Sequence, residues 1–154
     1  ISLTYLSTDR PKNVDRGSMN FTTEKDYYTS DNADYKGNPY DKGHLAPAAT
    51  FSDSEENLRQ TFSFLNCALQ KDKLNRGAWR FLEAEERKWD DTRDLEITID
   101  IEFTDIVMDF GATLPSKFIK HIKFVDDGTY KCFDFPNEDP TKKWDQYEVF
   151  HSHE

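Results

Sequence analysis

The alternation of hydrophobic and polar positions predicts strands near both ends of the chain. Residues 2–6 (SLTYL) and 95–103 (LEITIDIEF) alternate with the strand period of two, and the second segment has one apolar side. That side contains Leu95, Ile97, Ile99, Ile101 and Phe103. The segments KFIKHIKFV and TYKCFDF flank the turn DDG at 126–128, which indicates a hairpin. Residues 22–38, rich in Asp, Asn, Thr, Gly and Tyr, predict a long loop.

Two helices are expected between these strands, so the order of elements favours an α+β fold. Ser52 and Glu55 have the spacing of a capping box, which predicts a helix that begins near residue 53. Its packing residues should be Leu58, Phe62 and Leu65. A second helix is predicted to begin at Asn75, a favoured capping residue, in the segment LNRGAWRFLEAEERKW. Its apolar face should consist of Ala78, Phe81, Leu82 and Trp89.

Length and composition are those of one globular domain that spans residues 1–154. The chain has no internal repeat and no linker-like segment, and 36% of its residues are hydrophobic and 14% aromatic. No apolar run approaches the length of a membrane span, so no membrane association is expected. Cys67 and Cys132 do not form a zinc-ligand spacing, and free thiols are favoured over one disulfide.

The net charge of −10 argues against a nucleic-acid partner unless a local basic patch or a metal meets the phosphates. Such a patch exists in residues 71–88, where six Lys and Arg residues stand against four acids. The positive charge coincides with the second predicted helix.

Four residues of that helix recur at intervals of four, and each step drifts only about 40° around an α-helix. They are Asn75, Trp79, Glu83 and Arg87. An amide oxygen, a carboxylate and a guanidinium on one face suit a hard cation held beside a phosphate. Taken alone, however, the structural interpretations are favoured: Asn75 as a helix cap, Glu83 and Arg87 as an ordinary helix ion pair, and His44 as a structural histidine.

Two segments together resemble the DNA/RNA non-specific endonuclease family, whose members have the ββα-metal fold. The segment YDKGHLAPAATF is followed by LNRGAWRFLE, in which Asn75 lies 31 residues after His44. The family carries a D-R-G-H motif and a downstream N-R-G-x-W helix start, matched here by residues 41–44 and 75–79. The resemblance covers most of the chain and is firmest from Tyr40 to Arg87.

The resemblance implies a role for each matching residue. His44 would be the general base and Asn75 the direct ligand of a divalent metal. Glu83 would bind the metal through water, and Arg87 would contact phosphate. The donors are hard oxygens, which favour Mg²⁺, with Mn²⁺ as a substitute and calcium as the alternative.

An upstream arginine is also expected, and Arg16 is preferred to Arg10. The chain departs from the family pattern at Lys42, where arginine is usual, and at Leu69, where proline precedes Gln70. Lysine keeps the charge but loses the planar fork. Lys42 therefore either contacts the scissile phosphate less well or only shapes the local potential.

The resemblance implies a ββα-metal core with a central, mainly antiparallel sheet flanked by helices. It also implies a sequence-non-specific endonuclease that cleaves DNA, and RNA as well, and leaves 5′-phosphate ends. Two alternatives remain: a weakened relative that binds nucleic acid or a protein without cutting, and an acidic interaction module. Because the chain opens at Ile1 and such an activity must be kept from the cell's own nucleic acid, we expect secretion or a periplasmic location. His151 and His153 leave metal binding open against a disordered tail or an edge strand.

Overall fold

The computed structural model describes residues 1–150, so His151 and His153 lie outside the described residues. The predicted α+β class is confirmed. Five strands form an antiparallel sheet in the order β1-β4-β5-β6-β7. Their bounds are β1 Ser2–Ser7, β4 Leu95–Val107, β5 Thr113–Phe124, β6 Tyr130–Pro136 and β7 Glu148–Val149.

The long strand β4 follows its predicted alternation for most of its length. Its apolar positions from Leu95 to Ile101 are buried, and the turn at 126–128 joins β5 to β6 as the sequence predicts. Phe103 is an exception, because it is 41% exposed. A register shift between Glu102 and Phe103 interrupts the ladder to β5 and with it the regular alternation of sides.

The first helix is shorter than predicted and has a different cap. Helix α1 spans Glu55–Gln60, and the side chain of Ser54 accepts a hydrogen bond of 3.0 Å from the backbone N–H of Asn57. The predicted box of Ser52 with Glu55 is therefore wrong, since Ser52 donates instead to the carbonyl of Ala49. Leu58 and Phe62 are buried as expected, but Leu65 lies beyond the helix and is 47% exposed.

The second predicted helix is two helices, α2 (Asp72–Arg76) and α3 (Ala78–Trp89), separated by Gly77. A Cβ atom on Gly77 would lie 2.6 Å from the carbonyl oxygen of Lys73, so the join needs glycine. Asn75 lies inside α2 and caps neither helix, which corrects the predicted helix start.

Helix α3 turns a different face to the sheet than the sequence predicts. Trp79 is 0% exposed and packs against Phe118 and Phe135, whereas Phe81 is 59% exposed. Ala78 and Leu82 are buried as predicted. The predicted apolar face is thus wrong at Phe81, and it omits Trp79.

A buried ion pair joins α3 to β5. The Nζ of Lys120 donates to Glu86 at 2.7 Å, both side chains are 0% exposed, and Nζ lies 4.1 Å from the centre of the Trp79 ring. The hydroxyl of Tyr5 on β1 also donates to Glu86, at 2.6 Å. These contacts fix the position of α3 on the sheet.

The remaining strands, β2 (Tyr40–His44) and β3 (Cys67–Lys71), form an antiparallel pair. Strand β3 leads directly into α2. Gly43 faces Gln70 so closely that a Cβ atom there would overlap the Gln70 side chain. Both cysteines are free, as predicted. No described helix is long and apolar enough to cross a membrane.

Candidate active site

A pocket of about 430 Å³ opens where the end of β2 meets α2 and α3. It brings together five residues that the sequence singles out, from four separate elements of the chain. They are Arg16, His44, Asn75, Glu83 and Arg87. Lys42 is not among the described residues that line it.

His44 is the last residue of β2 and is held by two aromatic rings. Phe21 and Phe62 lie with their ring centres 4.6 Å from the imidazole, and Phe62 is nearly perpendicular to it. Nε2 is buried and has no hydrogen-bond partner among the described residues. Burial, together with the nearby charge of Arg16, lowers the pKa of His44 to about 4. The imidazole is therefore neutral near pH 7, as a base must be.

Asn75 is oriented by a neighbouring carboxylate. Its Nδ2 donates to Oδ2 of Asp41 on β2 at 2.9 Å, and Arg76 grips the same carboxylate with Nε at 2.9 Å and Nη2 at 2.7 Å. Because the nitrogen end of the carboxamide is bound to Asp41, the Oδ1 end is left to act as an acceptor. No described residue donates a hydrogen bond to that oxygen.

Glu83 and Arg87 do not form the helix ion pair that their spacing allows. No salt bridge joins them in the described part of the chain, and both line the pocket. Burial raises the pKa of Glu83 to about 8, with Lys120 and Arg87 acting in the opposite direction. Burial favours the neutral form of this carboxyl group, whereas an adjacent cation favours its charged form.

The structure separates the two upstream arginines. Arg16 lies over the Phe62 ring at 4.7 Å, at the edge of the His44 pocket. Arg10 lies elsewhere, 4.6 Å over the Phe51 ring, and donates to the carbonyl of Leu6. Only Arg16 of the two lines this pocket.

Three further pocket or support residues were not singled out by the sequence as site residues. Arg76 and Arg80 line the pocket, and Asp41 supports Asn75. The basic stretch 71–88 contains both arginines, but it does not reveal which of its cations face the site. Lys42 pairs with Leu69 in the β2–β3 ladder. Burial raises the pKa of the Cys67 thiol to about 12, with the hydrogen bond to Tyr35 and the charge of Lys42 acting in the opposite direction.

The donors in the pocket fit a hydrated divalent cation. The described residues contain no cluster of three His, Cys, Asp or Glu side chains that could hold a metal. One amide oxygen with a nearby carboxylate suits an ion that keeps most of its waters. Asn75 and Glu83 therefore fit such a group.

Strands β2 and β3 with the helices that follow them form a ββα unit, and the pocket lies at their junction, the arrangement of ββα-metal nucleases. The chain belongs to the DNA/RNA non-specific endonuclease family, whose model matches residues 2–151. This family consists of metal-dependent nucleases.

Individual relatives are similar over shorter segments. Human mitochondrial endonuclease G is 44% identical over 57 residues, which are 37% of this chain and 19% of the human protein. A nuclease of Syncephalastrum racemosum is 36% identical over 85 residues, 53% of this chain and 27% of that protein. The matches span less than a third of the length of either relative.

A solved structure confirms the ββα-metal fold. A chain in the crystal structure of the EndoG/EndoGI complex superposes with a TM-score of 0.82 at 22% identity. The superposition covers 96% of this chain and 71% of the other. The predicted fold is thus confirmed over nearly the whole chain.

Proposed function

We propose that this protein is a metal-dependent, sequence-non-specific endonuclease that hydrolyses phosphodiester bonds of DNA and RNA. The observation that carries the proposal is the meeting of His44 and Asn75, from distant segments, in one arginine-lined pocket. Family membership supports the same activity. Hydrolysis forms a bond from water oxygen to phosphorus and breaks the bond to the 3′-oxygen, leaving 5′-phosphate and 3′-hydroxyl ends.

His44 acts as the general base. We assign the base to Nδ1, which accepts a proton from the attacking water, because Nε2 is buried. A positioned general base contributes roughly 10²–10⁴ in rate. The 3′-oxygen takes its proton from solvent after the bond breaks.

Arginines at the pocket rim hold the phosphate. Arg87 and Arg16 bind its oxygens, and Arg80 supplies a further cation on the same side of α3. Lys42 shapes the local potential rather than contacting the scissile phosphate, which its absence from the pocket lining supports. These contacts are made to the backbone of the nucleic acid, so little sequence preference follows.

Asn75 would hold the divalent cation through Oδ1, and Glu83 would bind it through water. Hard oxygen donors favour Mg²⁺, with Mn²⁺ as a substitute. When bound, such a cation supplies charge neutralisation at the phosphate and at the leaving 3′-oxygen.

The acidic net charge does not oppose this function, because cations concentrate at the pocket. Three arginines without an ion pair to a described residue line it, namely Arg16, Arg80 and Arg87, against the two acids Asp15 and Glu83, in a protein of net charge −10. Binding that depends on such a local patch weakens as salt rises.

Plasmid cleavage tests the proposal. Supercoiled DNA and a folded RNA are incubated with the protein and Mg²⁺, with and without chelator, and the same is done for His44→Ala. His121→Ala is the matched control, since His121 contacts Asp100 on the sheet and does not line the pocket. We expect cleavage by wild type and His121→Ala only when Mg²⁺ is available, with a loss of 10²-fold or more in His44→Ala.

Intact plasmid in every lane would refute the nuclease proposal. Retarded migration of the DNA without cleavage would instead identify a relative that binds nucleic acid and does not cut it. Ligation requires 5′-phosphate ends. Ligation of the products therefore tests whether the bond to the 3′-oxygen is the one that breaks.

A further inference from the structure

Arg76 is the least obvious arginine of the pocket, because it is already paired with a carboxylate. Nε and Nη2 donate to the two oxygens of Asp41, at 2.9 and 2.7 Å, in a bidentate pair. The pair is electrically neutral, so Arg76 adds little net charge with which to attract a phosphate. Arg80, one turn further along, forms no hydrogen bond or ion pair with a described residue.

The carboxylate that Arg76 grips is also the one that orients Asn75. Oδ2 of Asp41 accepts from Nδ2 of Asn75 at 2.9 Å. The opposite orientation of the carboxamide would place its oxygen against a carboxylate oxygen, where neither atom can donate. Asp41 therefore selects the orientation that leaves Oδ1 free.

The topology explains how neighbouring helix residues reach one carboxylate. Side chains of Asn75 and Arg76 leave α2 about 100° apart, but α2 follows β3 directly and Asp41 lies opposite Gln70 in the β2–β3 ladder. Asp41 is thus held between two residues of α2. A carboxylate with a single partner can rotate about its terminal torsion, whereas the planar guanidinium fork fixes its plane.

We propose that Arg76 is a positioning residue of the metal site: it fixes the Asp41 carboxylate, which holds Asn75 with Oδ1 turned to the cation. This inference rests on the proposed metal-dependent function. Arg76 itself contacts neither the metal nor the phosphate in this role.

The direction of the change in cation affinity distinguishes a positioning role of Arg76 from a purely electrostatic effect of its charge. Removing a nearby positive charge should leave cation binding unchanged or make it tighter. If Arg76 positions Asn75, Arg76→Gln should weaken cation binding. Arg80→Gln is the matched control, because Arg80 lines the same pocket and does not contact Asp41.

Binding of Mn²⁺, followed by the electron paramagnetic resonance signal of the free ion, makes the comparison. We expect Arg76→Gln to bind roughly tenfold more weakly than wild type, the usual effect of losing a partner of a metal ligand. Arg80→Gln should bind as tightly as wild type or more tightly. Arg76→Lys, which keeps the charge but not the fork, should resemble Arg76→Gln. Undiminished affinity in either Arg76 variant would overturn the inference.

A metal-free measurement tests the same contact independently of binding. The side-chain amide signals of Asn75, assigned by their absence in Asn75→Asp, should show one N–H protected from exchange in wild type and Arg80→Gln. Arg76→Gln should lose that protection while its circular dichroism and melting temperature in the metal-free state stay close to wild type. Protection that is unchanged in Arg76→Gln would overturn the inference.

The two proposals can fail separately. If wild type binds Mn²⁺ and cleaves DNA but Arg76→Gln keeps full affinity, only the role of Arg76 is lost. If the wild-type protein has no Mn²⁺ site that requires Asn75, the proposed metal-dependent function is wrong, and the proposed role of Arg76 is wrong with it.

Discussion

Acid should destabilise this protein through His44, because the fold favours the neutral imidazole. Packing between Phe21 and Phe62, with Arg16 nearby, lowers its pKa from 6.5 to about 4. Above pH 6.5 the residue is neutral in both the folded and the unfolded chain and has no effect. As pH falls from 6.5 to 4, the unfolded chain takes up a proton that the folded chain does not, so stability is lost.

The size of the effect follows from that shift. One pKa unit corresponds to about 1.4 kcal/mol, so His44 alone should remove about 3 kcal/mol of unfolding free energy by pH 4. Domains are stable by only about 5–15 kcal/mol, which makes the loss measurable. His44→Gln abolishes the titration at this position and should lose that much less stability over the same range.

Urea unfolding of wild type and His44→Gln at several pH values between 7 and 4 measures the difference. Subtracting the two curves removes the contribution of other titrating groups. Nuclear magnetic resonance titration of the metal-free protein should show the His44 ring unprotonated at pH 5.5. Parallel loss of stability in both proteins, or a His44 signal that titrates near 6.5, would refute the reasoning.

Three other predictions concern the supports of the site. Lys120→Met should lower the free energy of unfolding by about 3–5 kcal/mol, because it removes the ion-pair partner of the buried Glu86 carboxyl group. Adding Glu86→Leu should recover much of the loss in the same urea titration, and failure to recover would contradict this explanation. Gly77→Ala should cost about 1–3 kcal/mol and reduce cleavage, because its Cβ would press on the Lys73 carbonyl beside the α2–α3 join; a melting temperature and a rate both equal to wild type would contradict it. Arg80→Gln should reduce the slope of log affinity against log salt for duplex DNA by about 0.9, the value for one phosphate contact; an unchanged slope in a binding titration without metal would exclude that contact.

The sequence predicts four of the seven described strands, β1, β4, β5 and β6, because their pattern is local. The pattern does not predict β2, β3 or β7. The alternation in 95–101 and the DDG turn at 126–128 need no tertiary information. Phe103 departs from the pattern where the ladder shifts register, and that shift depends on how the partner strand continues. A local sequence pattern is therefore least reliable where the pairing register of two strands changes.

The helix boundaries were less predictable, for two physical reasons. Ser52 and Ser54 are both capping residues in type, and the chain uses Ser54 because Ser52 already closes the preceding turn. Gly77 divides the second helix, since only glycine allows the close approach to Lys73. Helix propensity alone does not reveal either contact.

The candidate site was predictable where a motif supplied it and not where tertiary packing did. His44 and Asn75 are found from the two matching segments, and the structure places both in one pocket. Asp41 belongs to the same motif, yet its contact with Arg76 spans 35 positions of the sequence and depends on the packing of α2 against β2. The aromatic enclosure of His44 likewise joins three distant parts of the chain.

Diffraction from crystals soaked in Mn²⁺, measured for its anomalous signal, tests the central claim most directly. We expect a peak in the pocket within coordination distance of Oδ1 of Asn75, and its loss in Asn75→Ala crystals. A strong Mn²⁺ peak elsewhere on the protein, with none beside Asn75, would contradict it.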